Sequence, residues 1–210
     1  MRIPTARGED LTGGGDFLNL PGTYHLLIDR MHVGMSVKDE PIDGTTVECT
    51  VLDGDVQGQA KKKVNLTLWD IKLDKPVEEQ HVTVRCLTNF YLAANVLQPE
   101  QLGKEVDINP EDADSHQVVI KLQYAQKKEN GNWVEDRKFL RINFSDVYHV
   151  DDPAVANVPK NASALKSIDP KYRHDAAWFA FKEKKDIGSN GNTAVASAAS
   201  SSSSSDYADW

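Results

Sequence analysis

A chain of 210 residues with 40% hydrophobic content can bury one sizeable core, and its net charge of −8 speaks against a generally cationic nucleic-acid binder. Two cysteines, Cys49 and Cys86, exclude a disulfide framework, and no apolar run approaches the length of a membrane-spanning helix. The start, MRIPTARGEDLTGGGDF, lacks the apolar block of a secretory signal, so the expected compartment is the cytoplasm.

The acid is unevenly spread. Residues 1–60 hold 4 Lys/Arg against 10 Asp/Glu, whereas residues 61–103 hold 6 against 5. A local basic path is therefore compatible with an acidic protein.

Residues 1–16 read as a flexible leader hinged at Gly13–Gly15, followed by one folded domain over 17–152. Leu20-Pro21-Gly22 launches a first strand at about 23–33. A polar loop, 38–44, precedes a second strand at about 45–52, with Val47, Cys49 and Val51 inward. Gly54 and Gly58 turn the chain into a third strand, KKKVNLTLW, at 61–69. Read with a period of two, Lys62, Val64, Leu66 and Leu68 share one face, and Lys63, Asn65, Thr67 and Trp69 share the other. The first face is ordinary core. The second offers a cation, an amide, a hydroxyl and an indole in a row. Such a row suits an unpaired nucleic-acid strand, whose phosphates seek charge and whose bases seek a stacking surface. A half-exposed strand with solvated lysines is the plainer reading of the same residues.

Next comes a helix. Asp74 is its expected cap, Pro76 falls in its first turn, and Val82, Cys86, Leu87, Phe90, Ala94 and Leu97 recur at helical spacing until Pro99. Two further strands, at about 117–126 and 139–150, flank KKENGNWVEDRK. This connection contains the hairpin signal Asn-Gly but is longer than a two-residue turn. Three strands, one helix and two strands predict a mainly β fold, a five-stranded OB-type Greek-key barrel with the helix between strands three and four. An α+β sandwich of the same elements is the rival.

Residues 153–187 read as a short helical extension, punctuated by Pro153, Pro159 and Pro170. Helical candidates lie near 162–168 and 174–182, and Trp178, Phe179 and Phe181 form an expected clasp onto the barrel. Residues 188–210 read as a disordered tail, with six consecutive serines at 200–205, before the chain ends in DYADW. There Asp206, Tyr207, Asp209 and Trp210 make a candidate peptide ligand. Its carboxylates would engage a basic rim while the indole fills an apolar pocket.

An enzyme is not expected. The six histidines are scattered, and there is no P-loop, dinucleotide fingerprint or nucleophile elbow. Asp151-Asp152 stands beside Pro153 and reads as a turn. No cofactor or metal is implied.

FLNLPGTYHLLIDRMHVG, VECTVLDGDVQGQAKKKVNLTLW, LGKEVDI and FLRINFSDVYHVDDP resemble successive blocks of phage-associated single-stranded DNA-binding proteins, over roughly residues 17–153. The resemblance implies an OB-type fold and a role in phage or prophage DNA replication and recombination, in the cytoplasm of a bacterial host. DYADW is similar to the acidic, aromatic-ended tails of bacterial and podophage single-stranded DNA-binding proteins, which recruit replication enzymes. It differs in carrying two acidic side chains and ending in Trp.

The resulting expectation is a protein that coats single-stranded DNA without sequence preference. Phosphate contacts are assigned to Lys61, Lys62, Lys63, Lys127, Lys128, Arg137, Lys138 and Arg141, with Asn65 on the same strand face. Stacking is assigned to Trp69, Tyr124 and Trp133. The tail is expected to recruit replication or recombination proteins or to compete with DNA for the protein's own basic groove, and a homo-oligomer is compatible with the sequence. The competing class is a protein-binding or structural phage assembly module that uses the same sheet face for another chain.

Overall fold

The computed structural model describes residues 16–72 and 74–182, and in them the alternation of the sequence becomes five strands. These are β1 (Gly22–Met35), β2 (Pro41–Gly54), β3 (Lys63–Trp69), β4 (Gln117–Glu129) and β5 (Asn132–His149). They form one antiparallel sheet in the order β3-β2-β1-β4-β5. The central strand β1 pairs with β2 next in sequence and with β4 far along the chain, Tyr24 lying opposite Ile120. The fold is mainly β, and the sheet is open, with β3 and β5 as its edges.

One face of the sheet is the core. Tyr24, Leu26 and Ile28 of β1, Val47, Cys49 and Val51 of β2, and Val64, Leu66 and Leu68 of β3 are all nearly inaccessible. They pack with helix α1 (His81–Ala93), which lies between β3 and β4 and contributes Phe90, Leu92 and Ala93. Burial of Cys49 pushes its thiol pKa well up, as expected of a core filler.

Three features differ from the sequence expectation. Helix α1 begins later than Pro76, after a 3₁₀ turn at Val77–Gln80, and Asp74 does not cap it. Instead the buried Gln80 amide accepts from the Lys72 N–H at 2.6 Å and donates to the Lys72 and Lys75 carbonyls, pinning the loop before the helix. The helix also ends before Pro99. Asn95 takes a left-handed φ of 61°, while its N–H bonds the Leu92 carbonyl and the Val96 N–H bonds that of Tyr91. This is a Schellman ending, which Asn tolerates because its short side chain relieves the left-handed strain. Third, the β4–β5 connection is a two-residue turn after all. Asn130 and Gly131 have φ of 52° and 81°, and Glu129 faces Asn132. Asn-Gly meets the positive φ at both positions of a type I′ turn, so β5 starts at Asn132 and the hairpin grows long.

The extension after β5 covers the outer face of the β4–β5 half. Val119, Val150 and Val155 form a second small core with Tyr148, Val158, Leu165 and Ile168. Helix α2 (Ala162–Lys166) is capped by Asn161, whose side chain accepts from the Ala164 N–H. The 3₁₀ segment Ala176–Lys182 buries Phe179, and its Trp178 and Phe181 pack against the main core. The readings of residues 1–15 as a leader and 188–210 as a tail lie outside the described residues.

Candidate nucleic-acid interface

The outer face of β3 is built as its alternation dictates. Val64, Leu66 and Leu68 are buried, so Asn65, Thr67 and Trp69 must point outward, and Trp69 is 60% exposed. Lys63, at the strand's start, is half-buried. Six residue steps at about 3.3 Å each separate the cation from the indole by roughly 20 Å. Across the ladder, Thr50 faces Lys63, Glu48 faces Asn65, Thr46 faces Thr67, and Gly44 faces Trp69. A methyl group at Gly44 would run into the Leu68 carbonyl oxygen, so glycine is what lets β2 and β3 close up beside the indole.

The lysine run does not all lie on the strand. Lys61 has φ 72° and bonds the Val51 carbonyl through its N–H, and Lys62 closes the turn onto Gln59. Both therefore belong to the turn that enters β3. Lys61 is exposed and Lys62 half-buried.

Lys63 carries a counter-ion of its own. The β1 ladder slips between Ile28 and Arg30, leaving Asp29 as a bulged extra residue on the outer face. Its Oδ2 sits 2.9 Å from Lys63 Nζ and accepts from Thr50 Oγ1 at 2.7 Å. After the bulge the phase flips. Met31 turns into the core, its N–H donating to Asp114, and Arg30 is exposed beside Glu48. His32 lies 3.3 Å from the Glu48 carboxylate.

The β4–β5 hairpin carries the remaining candidates. Lys127 pairs with Glu129 at 2.9 Å, a contact that raises its pKa, and Arg137 lies 3.6 Å from Glu135. Lys128 Nζ rests 4.8 Å from the centre of the Trp133 ring, which is 45% exposed. A second slip, between the pairs Tyr124–Leu140 and Ala125–Asp136, bulges Arg137, Lys138 and Phe139 out of the ladder. Lys138 and Arg141 are exposed, and Phe139 is 63% exposed. Tyr124 is half-buried, and its hydroxyl donates to the Asn19 carbonyl. That bond belongs to the segment before β1. Asp16–Leu18 bridges the edge of β3 through backbone bonds at Lys63, and Tyr24 donates to the Leu20 carbonyl.

The structure therefore brings Lys63, Asn65 and Trp69 into one row and gathers Lys127, Lys128, Trp133, Arg137, Lys138 and Arg141 on one hairpin. It gives Tyr124 a fastening role. Sequence reading missed Phe139, Asp29 and Thr50. Phe139 reads as the first residue of a strand, and only the cross-strand register reveals a bulge. Asp206, Tyr207, Asp209 and Trp210 lie outside the described residues.

His25, His149, His174 and the Asp151-Asp152 pair resolve into fastenings for the extension. His25 accepts from the Asn161 N–H through Nδ1 and donates through Nε2 to Gln117, whose amide reaches the Ala164 carbonyl. His149 accepts from the Asp151 N–H and donates to the Tyr172 carbonyl. Burial drives both imidazoles down to about 4. His174 stacks on Trp178 at 4.2 Å and bonds Asn95 Oδ1 at 2.6 Å. Burial works against the Asp151 charge, but the Arg173 guanidinium and the His174 N–H outweigh it and lower its pKa. Asp152 caps the turn at Pro153–Val155 and pairs with Lys182. Among the described residues no three His, Cys, Asp or Glu side chains group as metal ligands, and no helix is long and apolar enough to cross a membrane. No family model matches the chain, and no curated protein matches it.

Proposed function

We propose that the protein binds single-stranded DNA, without sequence preference, along the outer face of β3 and the β4–β5 hairpin. The observation that carries this reading is Trp69, an indole 60% exposed at the end of a polar row that starts with Lys63. An exposed indole gains nothing from solvent, whereas an unpaired base stacks on it with any sequence. The hairpin adds Trp133 and Phe139 with Lys128, Lys138 and Arg141, again a mixture of rings and cations. The strand order supports reading the sheet as an OB-type barrel left open between β3 and β5, with α1 in the customary place between strands three and four. In such barrels the face of strands two and three and the hairpin between strands four and five receive the strand. Phage or prophage replication and recombination in a bacterial cytoplasm is the setting that fits, with DYADW as the recruiting tip.

Fluorescence anisotropy with labelled oligo-dT, duplex DNA and RNA at two salt concentrations tests the reading. Oligo-dT should bind more tightly than duplex, with log affinity falling against log salt by about 0.7 per phosphate neutralised. Replacing Lys61, Lys62 and Lys63 by alanine should flatten that slope. No binding of any oligonucleotide would remove the proposal.

One observation favours a protein-binding module instead. Val33, Met35, Val37 and Ile71 are exposed where the β1–β2 loop meets the end of β3. Beside them Ile42, Asp43, Asp70, Ile71, Lys72 and Asp74 line a cleft of about 400 Å³, in which three carboxylates face one cation, Lys72, itself 3.5 Å from Asp43. Burial, and then Asp43, raises the Asp70 pKa there. An acidic, apolar surface of this kind repels phosphate and suits a basic polypeptide.

A further inference from the structure

Two donors on neighbouring strands converge on a single point of the proposed DNA face. Lys63 Nζ from β3 and Thr50 Oγ1 from β2 both bond Asp29 Oδ2, at 2.9 and 2.7 Å. Thr50 and Lys63 are direct ladder partners, so the sheet itself fixes their spacing. An ammonium and a hydroxyl aimed at one anionic oxygen is how a protein holds a phosphate oxygen. Here the anion is the protein's own carboxylate, delivered by an extra residue in β1.

We propose that Lys63 and Thr50 form a phosphate subsite for the DNA backbone and that Asp29 occupies it as a built-in competitor. This rests on the reading of the β3 face as the DNA interface. The bulge is what makes the competition possible. Without the extra residue, strict alternation would carry the following residues of β1 to the opposite faces. With it, Asp29 lies over Thr50 while Met31 still reaches the core. The pair is only part-exposed, 39% at the Lys63 side chain and 24% at Asp29, yet both groups retain access to solvent. A phosphodiester can therefore exchange with the carboxylate without unfolding the strand. Binding a strand then costs the Asp29–Lys63 contact, and releasing it restores that contact. The competing carboxylate weakens affinity and lowers the net number of charges neutralised, which favours a protein that must give its DNA up.

The test is a double-mutant cycle on the full chain, read by anisotropy with labelled oligo-dT. Asp29→Asn should tighten binding roughly two- to five-fold, the range of a part-exposed ion pair. It should also steepen the salt slope by about 0.7, one further phosphate. Lys63→Ala should have a small effect in the native background and should abolish the gain in the Asp29→Asn background. Thr50→Val should reduce that gain. Asp29→Ser repeats the experiment should the asparagine disturb the bulge. In the native protein the Asp29 carboxyl ¹³C resonance should shift as oligo-dT is added. Unchanged or weaker binding by both folded Asp29 variants, or an Asp29 resonance that ignores saturating oligo-dT, overturns the subsite while leaving the DNA interface standing. Failure of the native protein to bind oligo-dT removes the interface itself.

Discussion

The two halves of the sheet's outer surface solve opposite problems. Over β4 and β5 the outward residues Val119 and Tyr148 are apolar, and the extension lies down on them to complete a second core. Over β2 and β3 the outward residues are Thr46, Glu48, Asn65, Thr67 and Trp69, and the indole remains 60% exposed among them. His25, on this outer face across from Val119, is fully bonded and held neutral, and so is His149, across from Val118 at the margin of the main core. In the second half charge is kept and answered locally, by Asp29 against Lys63, while His32 lies against Glu48. Packing identifies the first region as structure. Accessible charge around a bare ring is what the proposed interface rests on in the second.

If that contrast holds, acid should damage the covered half first. An imidazole held at about 4 in the fold and near 6.5 when unfolded takes up its proton only on unfolding within that window. Stability is thus complete above about pH 6.5 and falls as the pH drops toward 4, on the order of 1.4 kcal/mol per pH unit for each histidine. Urea midpoints measured from pH 7 to 4.5 should show that decline, and His149→Gln should flatten it. A flat profile would separate the histidines from the fastening of the extension.

A somewhat smaller loss is expected from Phe179→Ala, which empties a buried site where the extension meets helix α1 and the end of β5. It should lower unfolding free energy by about 3 kcal/mol. Oligo-dT affinity at a temperature where the variant is folded should stay as it was.

Trp69→Ala should do the reverse, costing about 1–3 kcal/mol in single-strand binding. Its melting temperature should move little, because the ring is mostly in solvent. A strongly destabilised Trp69 variant that binds normally would erase the distinction between the two halves.

How much of this can be read in advance depends on how local the cause is. Each inward residue of β3 is aliphatic and each outward one polar or amphipathic, so its phase is unambiguous in seven letters. Turn chemistry is also local, and Asn130-Gly131 announces its reversal even though the hairpin it makes is longer than the spacing suggests. The Asp29 bulge has no such signature. It exists because Ile28 faces Cys49 while Arg30 faces Glu48, a relation between strands that neither strand contains. The same holds for the bond from the Tyr124 hydroxyl to the Asn19 carbonyl, 105 residues earlier, of which neither segment alone gives a sign. Helix α1 stops short of its reading because its end lies in a backbone bonding pattern at Asn95, which a proline four residues later only echoes.

The pairing of β1 has a temporal consequence. Tyr24 waits for Ile120, 96 residues further on, before the middle of the sheet can be completed. At about 5–20 residues per second, a ribosome takes roughly 5–20 s to supply that partner. During synthesis the β1–β2–β3 meander therefore stands with one flank of β1, the future centre of the sheet, unpaired. Nascent copies crowded on one message would be exposed to one another along that flank, and slower translation would lengthen the exposure.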